Sequence, residues 1–219
     1  MGIGEQDLAV ILKIKQHYPH IKRCAILGDC SFHYPSGSKR HFQELLQLES
    51  VETFDVNGTP DHLVDLQEPL SPTFAEQFDL VLDIGTLYCV FDIAACWKNI
   101  LFMLKTSGVV VHQSNLIGHF GRGYYALSPA LFNEFYPSNG FQVVAMAYLL
   151  KGGSYQWTDM PIGHNYLSAA SGASLAWSQE GTTTGMVPCD SSLLCVAERK
   201  ERKPFSRPVP EHFIRTAGR

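Results

Sequence analysis

Carboxylates recur where apolar runs end in the first half of the chain. Asp55 closes Val51–Phe54, Asp65 follows His62–Val64, and Asp83 follows Leu80–Leu82. A carboxylate at the carboxyl end of a buried strand faces the crevice where open α/β sheets bind ligands, and it can accept hydrogen bonds from both hydroxyls of a ribose. Asp55 is the first ligand candidate on that ground. Asp65 with Leu66 offers a carboxylate for an exocyclic amine beside an apolar surface for a base, which is what an adenine pocket needs.

A second group of reactive side chains follows residue 111: His112, Gln113, Ser114, Asn115, His119, Arg122, Tyr124 and Tyr125. An imidazole titrates near neutral pH and suits a general base, so His119 and His112 are the base candidates. The tyrosines suit hydrogen bonding or pocket shape. Further on, residues 152–191 contain Tyr155, Trp157, His164, Tyr166 and Trp177 among Gly, Ser and Thr. The segment is too long for an ordinary hairpin loop and reads as a lid, an acceptor-binding insert, or a small subdomain packed on itself or on a second subunit. Trp157 is its candidate aromatic wall, and His164 is a further base candidate.

The elements that must position these residues are legible from periodicity. Phe78–Asp83 reads as a buried strand turning at Gly85–Thr86. Ile93 to Leu104 recurs at helical spacing behind an Asp92 cap, and Val109–His112 is the next strand. Strand, helix and strand of this length make a right-handed crossover with parallel strands, and continuous apolar runs require helices on both faces. Before this unit come a helix from Asp7 to Tyr18, a strand Cys24–Leu27 stopped at Gly28, a loop, a helix from about Ser38 to Leu48, and strands Val51–Val56 and Asp61–Leu66. After it, Ser128–Pro129 opens a helix, Phe141–Leu150 is a long strand, and Ser192–Ala197 is the last strand. The expected fold is α/β: a doubly wound, mostly parallel seven-stranded sheet with an antiparallel last strand and an insert before it.

Composition fits one domain over residues 1–199 with a basic, Pro-interrupted tail from 200 to 219. At 219 residues and 45% hydrophobic, the chain can bury a core without staples. A formal charge of -4 gives no bulk attraction to nucleic acid or to an anionic membrane surface. Neither partner is expected. Six cysteines without a CxxC pair read as thiols of a reducing compartment, and nine histidines without metal-ligand spacing give no metal site. The N-terminal residues are amphipathic rather than continuously apolar, so a cytoplasmic protein is expected.

The order of these elements resembles the class I S-adenosylmethionine (SAM)-dependent methyltransferases from about Ile21 to Ala197. It is most similar to small bacterial methyltransferase-like proteins with GTLEHVF and GHGFYQFSPELF segments. These read Gly85-Thr86-Leu87-Tyr88-Cys89-Val90-Phe91 and Gly121-Arg122-Gly123-Tyr124-Tyr125-Ala126-Leu127-Ser128-Pro129-Ala130-Leu131-Phe132 here. The resemblance implies SAM as cofactor. It places Gly28, Asp29 and Cys30 at the amino-acid end of SAM, Asp55 on the ribose, Asp65 and Leu66 beside adenine, and Asp83, Gly85 and Thr86 near the sulfonium. Tyr88, Arg122, Tyr124, Tyr125 and Trp157 fall on the substrate side. The family's acid before the first glycine is Ile26 here, and its later glycines are Cys30 and Phe32, so Phe32 must point away from a ligand or the loop must take another path. The family's Glu-His pair is Tyr88-Cys89, and its later His is Arg122. Methylation of an oxygen or nitrogen on a small molecule, in secondary metabolism or sugar modification, is the expected function. A binding or assembly subunit that does not methylate, or another reaction on the same fold, are the alternatives.

Overall fold

The computed structural model describes residues 2–117, 121–149, 155–157 and 191–209. A short strand β1 (Gly2–Gly4) leads directly into helix α1 (Glu5–His17), whose first turn is tied by the Asp7 carboxylate accepting from the Gly4 N–H at 2.9 Å. Strand β2 (Arg23–Leu27), strand β3 (Ser31–His33), helix α2 (Lys39–Leu45), strand β4 (Ser50–Asp55) and the two-residue strand β5 (His62–Leu63) follow. The second half runs β6 (Phe78–Ile84), α3 (Ile93–Met103), β7 (Leu104–Ile117), α4 (Pro129–Ser138), β8 (Phe141–Leu149), β9 (Tyr155–Trp157) and β10 (Ser191–Arg199).

Eight strands form one sheet in the order β5-β4-β2-β6-β7-β10-β8-β9. Seven of them are the expected strands. From β5 to β7 all neighbours are parallel, and β10 is antiparallel to both β7 and β8. The added edge strand β9 pairs with β8 and includes the backbone of Trp157.

Helices cover both faces because the strands alternate. Cys24 and Ile26, with Leu80, Leu82, Val109 and Val111, face α1 and α2, whose Val10, Ile11, Ile14 and Phe42 bury against them. Ala25, Leu27, Val81 and Val110 face α3 and α4 through Trp97, Ile100, Phe132 and Phe135. Trp97 and Phe135 stack at 4.2 Å, joining the two helices of that face. Asp92 caps α3 as expected, accepting from the Ala95 N–H at 3.0 Å, and Ser128 caps α4 at 3.3 Å.

Three local features differ from the sequence reading. The loop after β2 contains a strand: β3 pairs in parallel with β1, matching Phe32 to Ile3. That pairing answers what happens to Phe32, whose ring packs 5.4 Å from Phe42 in the core on that side of the sheet. Helix α3 ends at Met103, because Leu104 is already extended and pairs with Phe78 before the register shifts to Leu80 opposite Val109. Helix α2 stops at Leu45 rather than Leu48. The tail, described to residue 209, lies across the body: Asn139 exchanges two hydrogen bonds with the Ser206 backbone at 2.9 and 2.7 Å, and Phe205 sits against Phe135.

Candidate functional site

Successive connections leave β2 in one direction toward β4 and β5, then return to β6 and β7 on its other side. Such a reversal opens a crevice beyond the carboxyl ends of the strands. A cavity of about 730 Å3 lies there. Its three walls are built differently.

On the β2 and β4 side, Asp29 and Asp55 line the cavity with Val56 and Asn57. Gly28, at φ +103, turns the chain so that the Asp29 N–H donates to Asp55 Oδ2 at 2.6 Å. The other oxygen of Asp55 accepts from the Val56 and Asn57 N–H groups at 2.7 and 3.3 Å. A carboxylate has about four acceptor positions, so roughly one remains on Asp55. Asp29 adds more, since among the described residues its side chain accepts only from the Thr59 N–H, at 2.9 Å. Acceptor capacity on this side of the cavity is therefore divided between the two acids.

The floor is Ile84 to Thr86. Asp83 sits beneath it, fully buried, and its Oδ1 accepts from the Thr86 and Leu87 N–H groups, both at 2.9 Å. Its Oδ2 meets His112 Nδ1 at 2.6 Å, and His112 Nε2 meets the hydroxyl of Tyr136. Asp83 and His112 are paired across β6 and β7 on the face that α4 covers. Burial pushes the Tyr136 phenol well above its ordinary range, which keeps it neutral. The Thr86 hydroxyl donates to the Leu27 carbonyl at 2.6 Å and ties the floor to the end of β2.

The third wall comes from β7 and the chain after it. Gln113, Ser114 and Asn115 face the cavity together with Tyr88, Cys89 and Arg122. Ser114 is 1% exposed and its hydroxyl has no hydrogen-bond partner among the described residues, a state that costs about 1–3 kcal/mol. The segment carrying Arg122 is held by its backbone: Asn115 Nδ2 donates to the Arg122 carbonyl at 2.7 Å, and the Tyr124 and Tyr125 N–H groups donate to the Tyr88 carbonyl at 2.8 and 3.2 Å. Gly123 lies at φ +78, where a Cβ would come within 2.5 Å of the Tyr88 ring and 2.6 Å of its carbonyl. Only glycine allows that approach. The two segments that carried the resemblance are thus joined to each other in space. Burial raises the Tyr88 phenol and the Cys89 thiol, with Asp83 adding to it and Arg122 opposing, so both are protonated at neutral pH.

Of the residues the sequence singled out, Asp29, Asp55, Gly85, Thr86, Tyr88 and Arg122 meet on one cavity. Others stand elsewhere. His112 is a correction: it is buried, with both ring nitrogens engaged and no place on the cavity lining, and a base must reach the proton it removes. Its position binds β7 to β6 and α4 instead. Cys30 faces the other side, packed with α1 and α2 against the sheet, where burial raises its thiol to about 11. Asp65 accepts from the backbone and side chain of Gln67, and Leu66 is buried in the core, so neither lines the cavity; Val56 and Asn57 do. Tyr124 is exposed, edge-on to Phe91 at 5.8 Å, and Tyr125 donates to the Phe91 carbonyl at 2.8 Å beside the cavity. His119 and His164 lie outside the described residues, as does the Trp157 side chain.

The sequence reading missed Gly2 and Ser192, which also line the cavity. Gly2 arrives through the β1–β3 pairing, and Ser192 through its register opposite Asn115. No local pattern announces either, although the expected antiparallel last strand would have brought Ser192 close once its register with β7 was known.

The sheet order, the antiparallel β10 and the cavity at the reversal together define the Rossmann-like fold of SAM-dependent methyltransferases. Solved structures agree. The O-methyltransferase region of StiE superposes with a TM-score of 0.54 at 16% identity, covering 93% of this chain and 75% of that one. A putative methyltransferase from Bacillus halodurans gives 0.54 at 12% identity over 89% of this chain and 99% of its own. The N-methyltransferase NodS from Bradyrhizobium japonicum, in complex with S-adenosylhomocysteine, gives 0.53 at 13% identity, covering 90% and 89%. No family model matches the chain, and no curated protein does.

Proposed function

We propose that the protein is a SAM-dependent methyltransferase that methylates an oxygen or nitrogen of a small molecule. The observation that carries this reading is the cavity at the sheet reversal, with Asp29 and Asp55 on one side and a polar wall from β7 on the other. The residues fit the cofactor: two carboxylates with open acceptor positions suit hydroxyls and a cationic centre, and the floor of the cavity is fixed from beneath by Asp83. SAM would supply a methyl on a sulfonium, which passes to the acceptor lone pair as the carbon–sulfur bond breaks and its electrons return to sulfur.

The chain's own contribution is orientation and exclusion of water. Asp55 and Asp29 hold the hydroxyls, Gly85 and Thr86 keep the floor close, and Tyr88, Arg122 and the β7 wall place the acceptor. A hydroxyl acceptor also needs a base, and with His112 buried the candidates are His119 and His164. Trp157 on the 152–191 insert remains a candidate wall. Among the described residues no helix is long and apolar enough to cross a membrane. A cytoplasmic enzyme of small-molecule biosynthesis, working as a homodimer and without nucleic-acid or membrane partners, completes the reading.

One observation favours a second reading, a subunit that binds SAM or another ligand without methylation: the loop after β2, which would approach the cofactor, is built into the β1–β3 pair. Calorimetric titration with S-adenosylhomocysteine tests the first step for both. Saturable binding weakened by Asp55→Ala is expected. No binding of SAM or S-adenosylhomocysteine by the full chain would overturn the methyltransferase reading, and turnover of SAM with any acceptor would eliminate the second.

A further inference from the structure

The two ends of the cavity carry opposite charge, and they are handled differently. Asp29 and Asp55 both accept hydrogen bonds from loop N–H groups. Arg122 reaches the cavity from the far side, with its backbone carbonyl pinned by Asn115 and no ion pair to a carboxylate among the described residues. The residue is exposed, so its charge is open to an entering anion.

A second, independent feature stands on the same wall. Ser114 lines the cavity, and its buried hydroxyl lacks a partner among the described residues. A buried donor of this kind is satisfied when a ligand brings an acceptor to it. A planar guanidinium presents paired N–H donors that match a carboxylate or phosphate.

We infer that the acceptor molecule bears an oxyanion group, a carboxylate or a phosphate, which Arg122 grips and to which Ser114 donates, leaving the nucleophilic oxygen or nitrogen directed toward the middle of the cavity. The inference rests on the methyltransferase reading and deepens it. Methyl transfer then forms the bond from the acceptor's oxygen or nitrogen to the methyl carbon and breaks the carbon–sulfur bond, with the electron pair going to sulfur. The acceptor's proton passes to a base or to water, and the oxyanion itself is not methylated.

The test uses the full chain saturated with S-adenosylhomocysteine and three matched sets of small hydroxylated or aminated compounds: free carboxylic acids, their methyl esters, and phosphate monoesters of the same size. Calorimetry reads binding of each set, and transfer of labelled methyl from SAM reads turnover. Acids or phosphates are expected to bind at least tenfold more tightly than the neutral esters, and which set binds identifies the oxyanion. Arg122→Gln should remove that preference, Arg122→Lys should restore part of it, and Ser114→Ala should weaken binding severalfold, with S-adenosylhomocysteine affinity changed less than twofold in each. Failure of the wild-type chain to bind S-adenosylhomocysteine would strike the methyltransferase reading itself. Given that binding, equal affinity for acids and esters, no binding by any charged set, or a preference that survives Arg122→Gln would overturn the inference. So would loss of S-adenosylhomocysteine binding in Arg122→Gln, which would assign the guanidinium to the cofactor's own carboxylate.

Discussion

Asp55 of β4 and the arginine after β7 border one cavity, and Asp83 of β6 lies beneath its floor, yet the acids and the arginine have opposite surroundings. Asp55 and Asp83 each accept two N–H groups or more, and those bonds fix the turns that shape the cavity. Arg122 is fixed at its backbone and leaves its charge to whatever enters. The difference separates what must be rigid from what must be selective. On the proposed function, a cofactor that is the same in every turnover would reward a preformed cradle, whereas the acceptor would be read by a group whose pairing waits for it.

The largest effect should come from the floor. Asp83→Ala leaves the Thr86 and Leu87 N–H groups and the His112 ring without their acceptor in a fully buried place. Loss of about 3–5 kcal/mol in urea unfolding is expected, with S-adenosylhomocysteine binding lost as well. A variant that keeps its stability would show that the floor does not depend on this carboxylate, and the contrast with Arg122 would fail.

Asp55→Ala comes next. It removes the acceptor for the Asp29, Val56 and Asn57 N–H groups, so the turn between β4 and β5 should loosen by about 1–3 kcal/mol. S-adenosylhomocysteine affinity should fall about tenfold or more by calorimetry. Asp55→Asn keeps one acceptor oxygen and should lie between. Tyr136→Phe is smaller. It deprives His112 Nε2 of its buried partner for about 1–2 kcal/mol in urea unfolding, with cofactor affinity unchanged, because neither group lines the cavity. A Tyr136→Phe chain that folds normally but loses binding would restore a direct role for His112 and erase the line drawn between the floor and the wall.

The legibility of these regions follows the same division. The acid that ends β4, the Asp92 and Ser128 caps and the antiparallel last strand depend on local pattern, and they stand where the sequence put them. The β1–β3 pair does not, because three-residue strands such as GIG and SFH carry no periodic signal and form only when the chain brings them together. His112 was legible as a strand-end imidazole but not as a buried one. Its position faces α4 by the alternation that places Val110 on the same side, and Asp83 and Tyr136 together satisfy the ring there. Asp65 stands off the cavity for a similar reason: β5 is two residues long, and the chain turns at Asp65 into a Gln67 contact before it can present that carboxylate to the cavity.

Strand β6 carries the comparison within itself, since it has one acid near its start and one near its end. Asp79 accepts from the Lys22 and Arg23 N–H groups at 2.9 and 2.8 Å and pairs with Lys105 at 2.8 Å, at the end of the sheet away from the cavity. Burial alone would raise its pKa, but the Lys105 contact and the two backbone donors outweigh that and hold it below 3.8. A lowered folded-state value means that the contribution is complete above the unfolded value and disappears as pH falls through the folded one. Asp79→Asn should therefore cost about 1 kcal/mol at neutral pH, because Lys105 is partly exposed, and the gap from the wild type should begin to narrow below about pH 4. Urea titrations from pH 7 to pH 3 read the gap directly. S-adenosylhomocysteine affinity should stay the same throughout. A constant gap across that range would mean that the carboxylate's charge contributes nothing there, and a change in affinity would mean that the two ends of β6 are coupled, so that rigidity at the cavity is not set by Asp83 and its neighbours alone.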